Sequence, residues 1–274
     1  QQLCTPSTGT LLTANAAVFP ATGQWTVVLG SGSFTSASNP NTVVTGLGLG
    51  VNTFRWTLNN GPCANPVTQD DVNITVYSSA NAVAHAGPDQ DLCTPANSTS
   101  LAGSAVTAPA TGTWTLVGGS GTIVSPNSPT TQVTGLAVGD NIFRWTVLNG
   151  PCSNPVTQDE VRIRVYNSAN PVAQAGPDQV LCSNANSTVL AGSNILLPAM
   201  GVWTLVSGGG TLLTPNSPTT AVTGLPVGVN VFRWSVSNGP CANGNTQDEV
   251  AITVHDAGHP AITAGPTQSL CVTT

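Results

Sequence analysis

Phe143-Arg144-Trp145-Thr146-Val147 alternates apolar and polar side chains. The same alternation stands 89 residues earlier in Phe54-Arg55-Trp56-Thr57-Leu58, and 89 residues later in Phe232-Arg233-Trp234-Ser235-Val236. A period of two puts every second side chain on one face and predicts a half-buried β-strand. The run after it, Val161-Arg162-Ile163-Arg164-Val165, keeps Val, Ile and Val on one face and turns Arg162 and Arg164 outward. Its equivalents are Val72 to Val76 and Val250 to Val254. Recurrence at a fixed interval makes the repeat, rather than the whole chain, the unit to be read.

The interval holds across the molecule. Cys4, Cys93, Cys182 and Cys271 are spaced by 89, as are Cys63, Cys152 and Cys241. Two tryptophan series, Trp25, Trp114 and Trp203 with Trp56, Trp145 and Trp234, account for all six tryptophans. The boundaries that follow are 1–87, 88–176 and 177–265, with 266–274 entering a further repeat, and the segment is expected to be a window on a longer array. Further strands are expected at Thr99 to Leu101, Trp114 to Leu116, Gly121 to Val124 and Gln132 to Thr134. Turn signals separate them, at Ser125-Pro126-Asn127-Ser128-Pro129, Gly135 and Asn149-Gly150-Pro151. Six or seven short strands in about 90 residues is the rhythm of an immunoglobulin-like β-sandwich, with the paired tryptophans between its sheets. The segments Asn81 to Gln90, Asn170 to Gln179 and Gly258 to Gln268, each centred on Ala-Gly-Pro, read as short stiff joints, and beads on stiff joints make a rod.

Composition excludes other classes. Only 6% of the 274 residues are charged; the five basic residues are all arginine, lysine is absent, and the net charge is −6. Such a surface cannot neutralise phosphates, so nucleic acid is not an expected partner. No apolar run nears the roughly 18 residues a bilayer requires, so no membrane insertion is expected in this segment, and no cationic leader opens it. With 29 Gly, 21 Pro and abundant Thr, Ser and Asn, the chain is poor in helix formers and reads as all-β.

Two half-cystines per repeat imply disulfides and an oxidising compartment. Two pairings keep the period. One is 59 apart within a repeat (Cys4 with Cys63, Cys93 with Cys152, Cys182 with Cys241), leaving Cys271 for a neighbour outside the segment. The other is 30 apart across a joint (Cys63 with Cys93, Cys152 with Cys182, Cys241 with Cys271). The intra-repeat set is preferred because it closes a long loop, stabilising each unit by roughly 4 kcal/mol in the loop-entropy picture. Against it, the two cysteines of a standard sandwich so placed can lie at opposite poles. Zinc is disfavoured, since neither Cys-x-x-Cys spacing nor periodic histidine occurs.

The joint Ala-Gly-Pro-Asp-Gln followed by Leu-Cys, then Gly-x-Trp-Thr, Val-Thr-Gly-Leu, Asn-x-Phe-Arg-Trp, Asn-Gly-Pro-Cys and Asp-Glu-Val, resembles the polycystic-kidney-disease-like (PKD-like), immunoglobulin-like repeats of Bacteroidota cell-surface and gliding-associated adhesins. The resemblance runs through the whole chain. It implies a secreted or surface-attached array acting as a stalk, exported often by the type IX route. The first repeat departs by opening on Gln1-Gln2-Leu3-Cys4 without the joint, and the last joint has Thr267 in place of Asp89 and Asp178.

Candidate chemistry is sparse, and no residue is expected to be catalytic. His85, His255 and His259 fall at non-equivalent positions; His255 stands where the other repeats have Tyr77 and Tyr166. The pairs Asp70-Asp71, Asp159-Glu160 and Asp248-Glu249 recur and are weak calcium candidates. Pairing with Arg55, Arg144 and Arg233 is the preferred role. No cofactor is expected. Asn73, Asn97 and Asn186 match the glycosylation acceptor pattern, which a Thr-rich chain produces by chance. The expected function is a mechanical spacer in an extracellular fibre or adhesin, its partners further repeats of the same chain and, through sheet edges without lysine, copies of itself. The alternative is an array of carbohydrate-binding modules with a surface or glycan ligand, for which Tyr77 and Tyr166 are the exposed aromatic candidates. A solvent-exposed tryptophan would favour it.

Overall fold

The computed structural model describes residues 1–258 and Gly265. The expected joint at Gly258 to Gln268, the repeat start at 266–274 and Cys271 therefore lie, but for Gly258 and Gly265, outside the described residues. The first repeat forms β1 (Gln2–Cys4), β2 (Thr10–Leu12), β3 (Thr22–Leu29), β4 (Ser33–Phe34), β5 (Thr42–Thr45), β6 (Gly50–Asn59) and β7 (Val67–Tyr77). The second forms β8 (Gln90–Cys93), β9 (Ser98–Ala102), β10 (Thr111–Gly118), β11 (Thr122–Ile123), β12 (Thr130–Thr134), β13 (Gly139–Leu148) and β14 (Val156–Tyr166). The third forms β15 (Gln179–Cys182), β16 (Thr188–Ala191), β17 (Met200–Ser207), β18 (Thr211–Leu212), β19 (Thr219–Thr223), β20 (Gly228–Ser237) and β21 (Asn245–His255). Each repeat is a sandwich of a four-stranded sheet, ordered β1-β7-β6-β3 in the first, and a three-stranded sheet, β2-β5-β4. The chain divides into two compact units, Gln1–Leu92 with Ala96–Val165, and Cys93–Pro95 with Tyr166–Thr274.

The alternation in β13 explains its sheet. Asn141, Phe143, Trp145 and Val147 are buried while Arg144 and Thr146 face out. Trp145 pairs in register with Trp114 of β10, their rings 5.1 Å apart and tilted by 41°; Trp25 with Trp56 and Trp203 with Trp234 repeat the arrangement at 5.2 Å. All six tryptophans are core, none more than 4% exposed. The glycine of each Gly-x-Trp motif makes room for this. A Cβ on Gly112 would lie 2.1 Å from Cζ2 of Trp145, and Gly23 and Gly201 meet Trp56 and Trp234 in the same way.

The asparagine of Asn-x-Phe-Arg-Trp has a role its motif does not announce. Asn141, 1% exposed, accepts from the Ser120 amide at 2.9 Å and donates through Nδ2 to the carbonyls of Ala137 (2.9 Å), Gly139 (3.3 Å) and Ile163 (3.2 Å). Asn52 and Asn230 do the same. Asn141→Ala leaves these backbone groups buried and unpaired. The expected loss is about 2–3 kcal/mol for the second repeat, read as faster hydrogen exchange of the β13 and β14 amides. Unchanged exchange there would show that water replaces the side chain.

Two features differ from the sequence reading. The opening strand of each repeat is too short for its alternation to show in the sequence; β1 pairs in parallel with β7, Gln2 opposite Thr75 and Cys4 opposite Tyr77. The segments read as joints also belong to the sandwich that follows them. The Ala84 amide donates to Thr157 Oγ1 at 2.8 Å, that of Ala86 to Asp159 Oδ2 at 2.7 Å, and Asp89 accepts from the Arg162 amide at 2.9 Å. Ala86 is buried in the core with Leu101 and Trp114. Ala173, Ala175 and Asp178 make the equivalent bonds to Thr246, Asp248 and Ala251.

Candidate functional site: the clamped junction

The disulfides follow neither pairing expected from the sequence. Cys4 is bonded to Cys152 and Cys93 to Cys241, each pair 148 residues apart with Cα atoms at 5.2 Å, while Cys63 and Cys182 are free and exposed. The preferred intra-repeat set and the cross-joint set are both overturned. The reason is the length of β7. Cys4 lies beside Tyr77, the last residue of that strand, and Cys63 lies in the turn before its first residue, Val67. Eleven residues of strand hold the two about 30 Å apart, whereas a disulfide tolerates no more than about 7 Å between Cα atoms. The first cysteine of a repeat therefore meets the second cysteine of the next.

Around Cys4 and Cys152 the junction is built from the ends of two repeats. The Thr5 amide donates to the Tyr77 carbonyl at 3.0 Å, and the Thr5 hydroxyl bonds the Ser79 hydroxyl and accepts from the Ser79 amide, both at 2.9 Å. Tyr77 lays its ring over Gly150, whose φ of 54° favours glycine and whose missing Cβ would lie 2.6 Å from Cδ2 of that ring. Asn149, buried, donates to the Ser78 carbonyl at 3.0 Å and accepts from Asn81 at 2.9 Å; Asn81 in turn accepts from the Thr107 amide at 2.8 Å.

The second clamp repeats this plan. Tyr166 covers Gly239, φ 54°, and Asn238 donates to the Asn167 carbonyl at 2.9 Å. Tyr166 is 9% exposed and Tyr77 half-buried, so neither is the exposed aromatic platform that sugar stacking needs. The Asn-Gly-Pro-Cys motif was legible as a turn. Its aromatic partner, about 70 residues back, carried no signal beyond the recurrence of Tyr77 and Tyr166.

The acidic pairs divide their labour, because successive strand residues face opposite ways. Asp71 pairs with Arg55 in two bonds of 2.7 and 2.9 Å, Glu160 with Arg144 at 2.6 Å and Glu249 with Arg233 at 2.6 Å. Asp159 and Asp248 instead accept the Ala86 and Ala175 amides. The two carboxylates of a pair thus never converge. Among the described residues no group of three or more His, Cys, Asp or Glu is placed to hold a metal ion.

The Arg55 guanidinium, bonded to both oxygens, holds the Asp71 carboxyl below its ordinary range, and Arg164 does the same for Asp140 at 2.6 and 2.9 Å. A carboxylate whose pKa is lower folded than unfolded stabilises above the unfolded value, and loses that stabilisation as pH falls through the folded one. Thermal stability is therefore expected to hold from neutral pH to about 4 and to decline below it. Asp140→Asn should flatten that decline for the second repeat, and a melting temperature falling between pH 7 and 5 would assign the dependence to other groups.

Residues 86–165 match the family described as K319L-like, PKD domain. The chain carries PKD-like, immunoglobulin-like repeats. The solved PKD domain from the KIAA 1837 protein is 31% identical over 35% of this chain and 96% of its own, with a TM-score of 0.29. The PKD domain of human KIAA0319 is 21% identical over 36% and 88%, with a TM-score of 0.27. The three-domain I-band fragment I67–I69 of titin is 12% identical over 93% of this chain and 95% of its own, with a TM-score of 0.39. No curated protein matches the sequence. Disulfide-joined PKD-like repeats mark an extracellular type of segment. Among the described residues no helix is long and apolar enough to cross a membrane.

Proposed function

We propose that this array of PKD-like repeats is a load-bearing spacer in the shaft of a secreted bacterial fibre or surface adhesin. The observation that carries the reading is the step of the disulfides. Each ties one repeat to the next instead of closing a repeat on itself, so tension applied to the chain falls on covalent bonds before it reaches the whole of any sandwich. The repetition of one structural plan supports a spacer over catalysis, for which a single site suffices. The buried tryptophans speak against the alternative of a glycan-binding array, which needs exposed aromatic faces.

The test is to delete or duplicate one 89-residue repeat in the source cell and image a label at the fibre tip. A spacer changes stand-off in proportion to repeat number and leaves binding per tip unchanged. Binding that scales with repeat number at constant stand-off would overturn the reading in favour of a ligand-binding array.

A further inference from the structure

Each clamped junction encloses an Asn-Gly pair, Asn149-Gly150 in the first and Asn238-Gly239 in the second. In an open chain this dipeptide is chemically unstable, because glycine has no side chain to shield its amide nitrogen from the asparagine carboxamide before it. Half of that reaction is left ready at the junctions. The Gly150 and Gly239 amides donate no hydrogen bond among the described residues.

The other half is held, and what holds it comes from the residues that close the preceding repeat. Asn149 is 4% exposed; its Nδ2 donates to the Ser78 carbonyl at 3.0 Å, its Oδ1 accepts from Asn81 at 2.9 Å, and the Tyr77 ring lies over Gly150. Asn238 is wholly buried; its Nδ2 donates to the Asn167 carbonyl at 2.9 Å and to Asn243 Oδ1 at 3.2 Å, and the Tyr166 ring lies over Gly239. Asn243 is itself bonded to the Asn170 carbonyl. Both carboxamides are thus pinned only while the two repeats stay docked.

We propose that Asn149 and Asn238 are modification sites gated by their junctions: an opened junction frees the carboxamide to meet the glycine amide and deamidate, and the product keeps the junction from closing again. The glycine nitrogen bonds to asparagine Cγ, the Cγ–Nδ2 bond breaks, and ammonia leaves with the proton of the glycine amide. Water then opens the five-membered imide at either carbonyl, giving aspartate or isoaspartate. A carboxylate has no hydrogen to donate to the Ser78 carbonyl, and its charge is costlier to bury than the neutral amide. Each lasting opening therefore leaves a permanent mark at the junction where it occurred, whether or not the chain bears load.

The full-length chain is to be held at mildly alkaline pH across a urea series in three forms: oxidised, reduced and alkylated, and oxidised with Tyr77→Ala. Deamidation at 149 and 238 is read by peptide mass, and opening of the first junction by hydrogen exchange of the Thr107 amide, which bonds Asn81 Oδ1. A synthetic peptide spanning Val147 to Val156 sets the ungated rate. Asn149 in the oxidised chain is expected to deamidate at least about tenfold more slowly than in the peptide, since only the open fraction reacts. Tyr77→Ala should raise that rate by about tenfold, in step with Thr107 exchange and below the urea concentration that unfolds the sandwiches, while Asn238 stays slow. Asn149→Asp should leave Thr107 exchange fast with both disulfides formed. Deamidation of the oxidised chain at the peptide rate, a rise only on global unfolding, or slow Thr107 exchange in Asn149→Asp would each overturn the proposal.

Discussion

Pulled from its two ends, the oxidised chain is expected to stop at about 330 Å, and the reduced chain to run out to about 950 Å. The difference comes from how the two disulfides interlock. The shortest covalent path leaves Gln1, crosses from Cys4 to Cys152, returns along the backbone to Cys93, crosses to Cys241 and runs to the end. It contains about 95 residues at about 3.5 Å each, against 274 in the reduced chain. Links confined to single repeats would have left both joints and all tails free. Optical-tweezer traces with and without reductant measure the quantity directly. Equal final extensions in the two conditions would mean that the clamps do not carry force.

The second large effect is expected at a single methyl group. Gly112→Ala places a Cβ 2.1 Å from Cζ2 of Trp145, a wholly buried ring held against Trp114. A rigid indole in a filled core cannot move aside without displacing its neighbours, so the cost is about 3 kcal/mol, and the same is expected at Gly23 and Gly201. Gly118→Ala, six residues along the same strand, meets nothing within 4 Å at an ordinary φ and should change stability by less than about 0.5 kcal/mol. Denaturation followed by hydrogen exchange in β10 and β13 separates the two. Equal effects would show that glycine is needed there for backbone freedom, not for room.

The strands were legible because their signal is local. Phe143 to Val147 and Val161 to Val165 advertise a period of two, and fixed spacing turned one such reading into three. The tryptophan core was legible for the same reason. The junction was not, because its contacts join residues that no periodicity relates: Tyr77 to Gly150, Ser78 to Asn149, Cys4 to Cys152. A strict repeat also conceals pairing, since a bond from one repeat to the next keeps the period as well as a bond within it. The Ala-Gly-Pro segments read in sequence only as connectors, because proline and glycine punctuate most chains. Here Ala86 enters a core and Asp89 caps an amide, which their identities do not declare.

The 148-residue reach of each clamp sets an order of events as the chain is made and folds. Cys4 emerges long before Cys152, and Cys63 and Cys93 pass it first. In an unfolded chain the nearer thiols would capture it. Once the first sandwich has formed, β7 keeps Cys63 at the far pole, out of range. Folding must therefore precede oxidation, so the shape of each sandwich acts as the proofreader of its own thiol chemistry, and a cell that oxidised this chain while still extended would lock it into the wrong molecule.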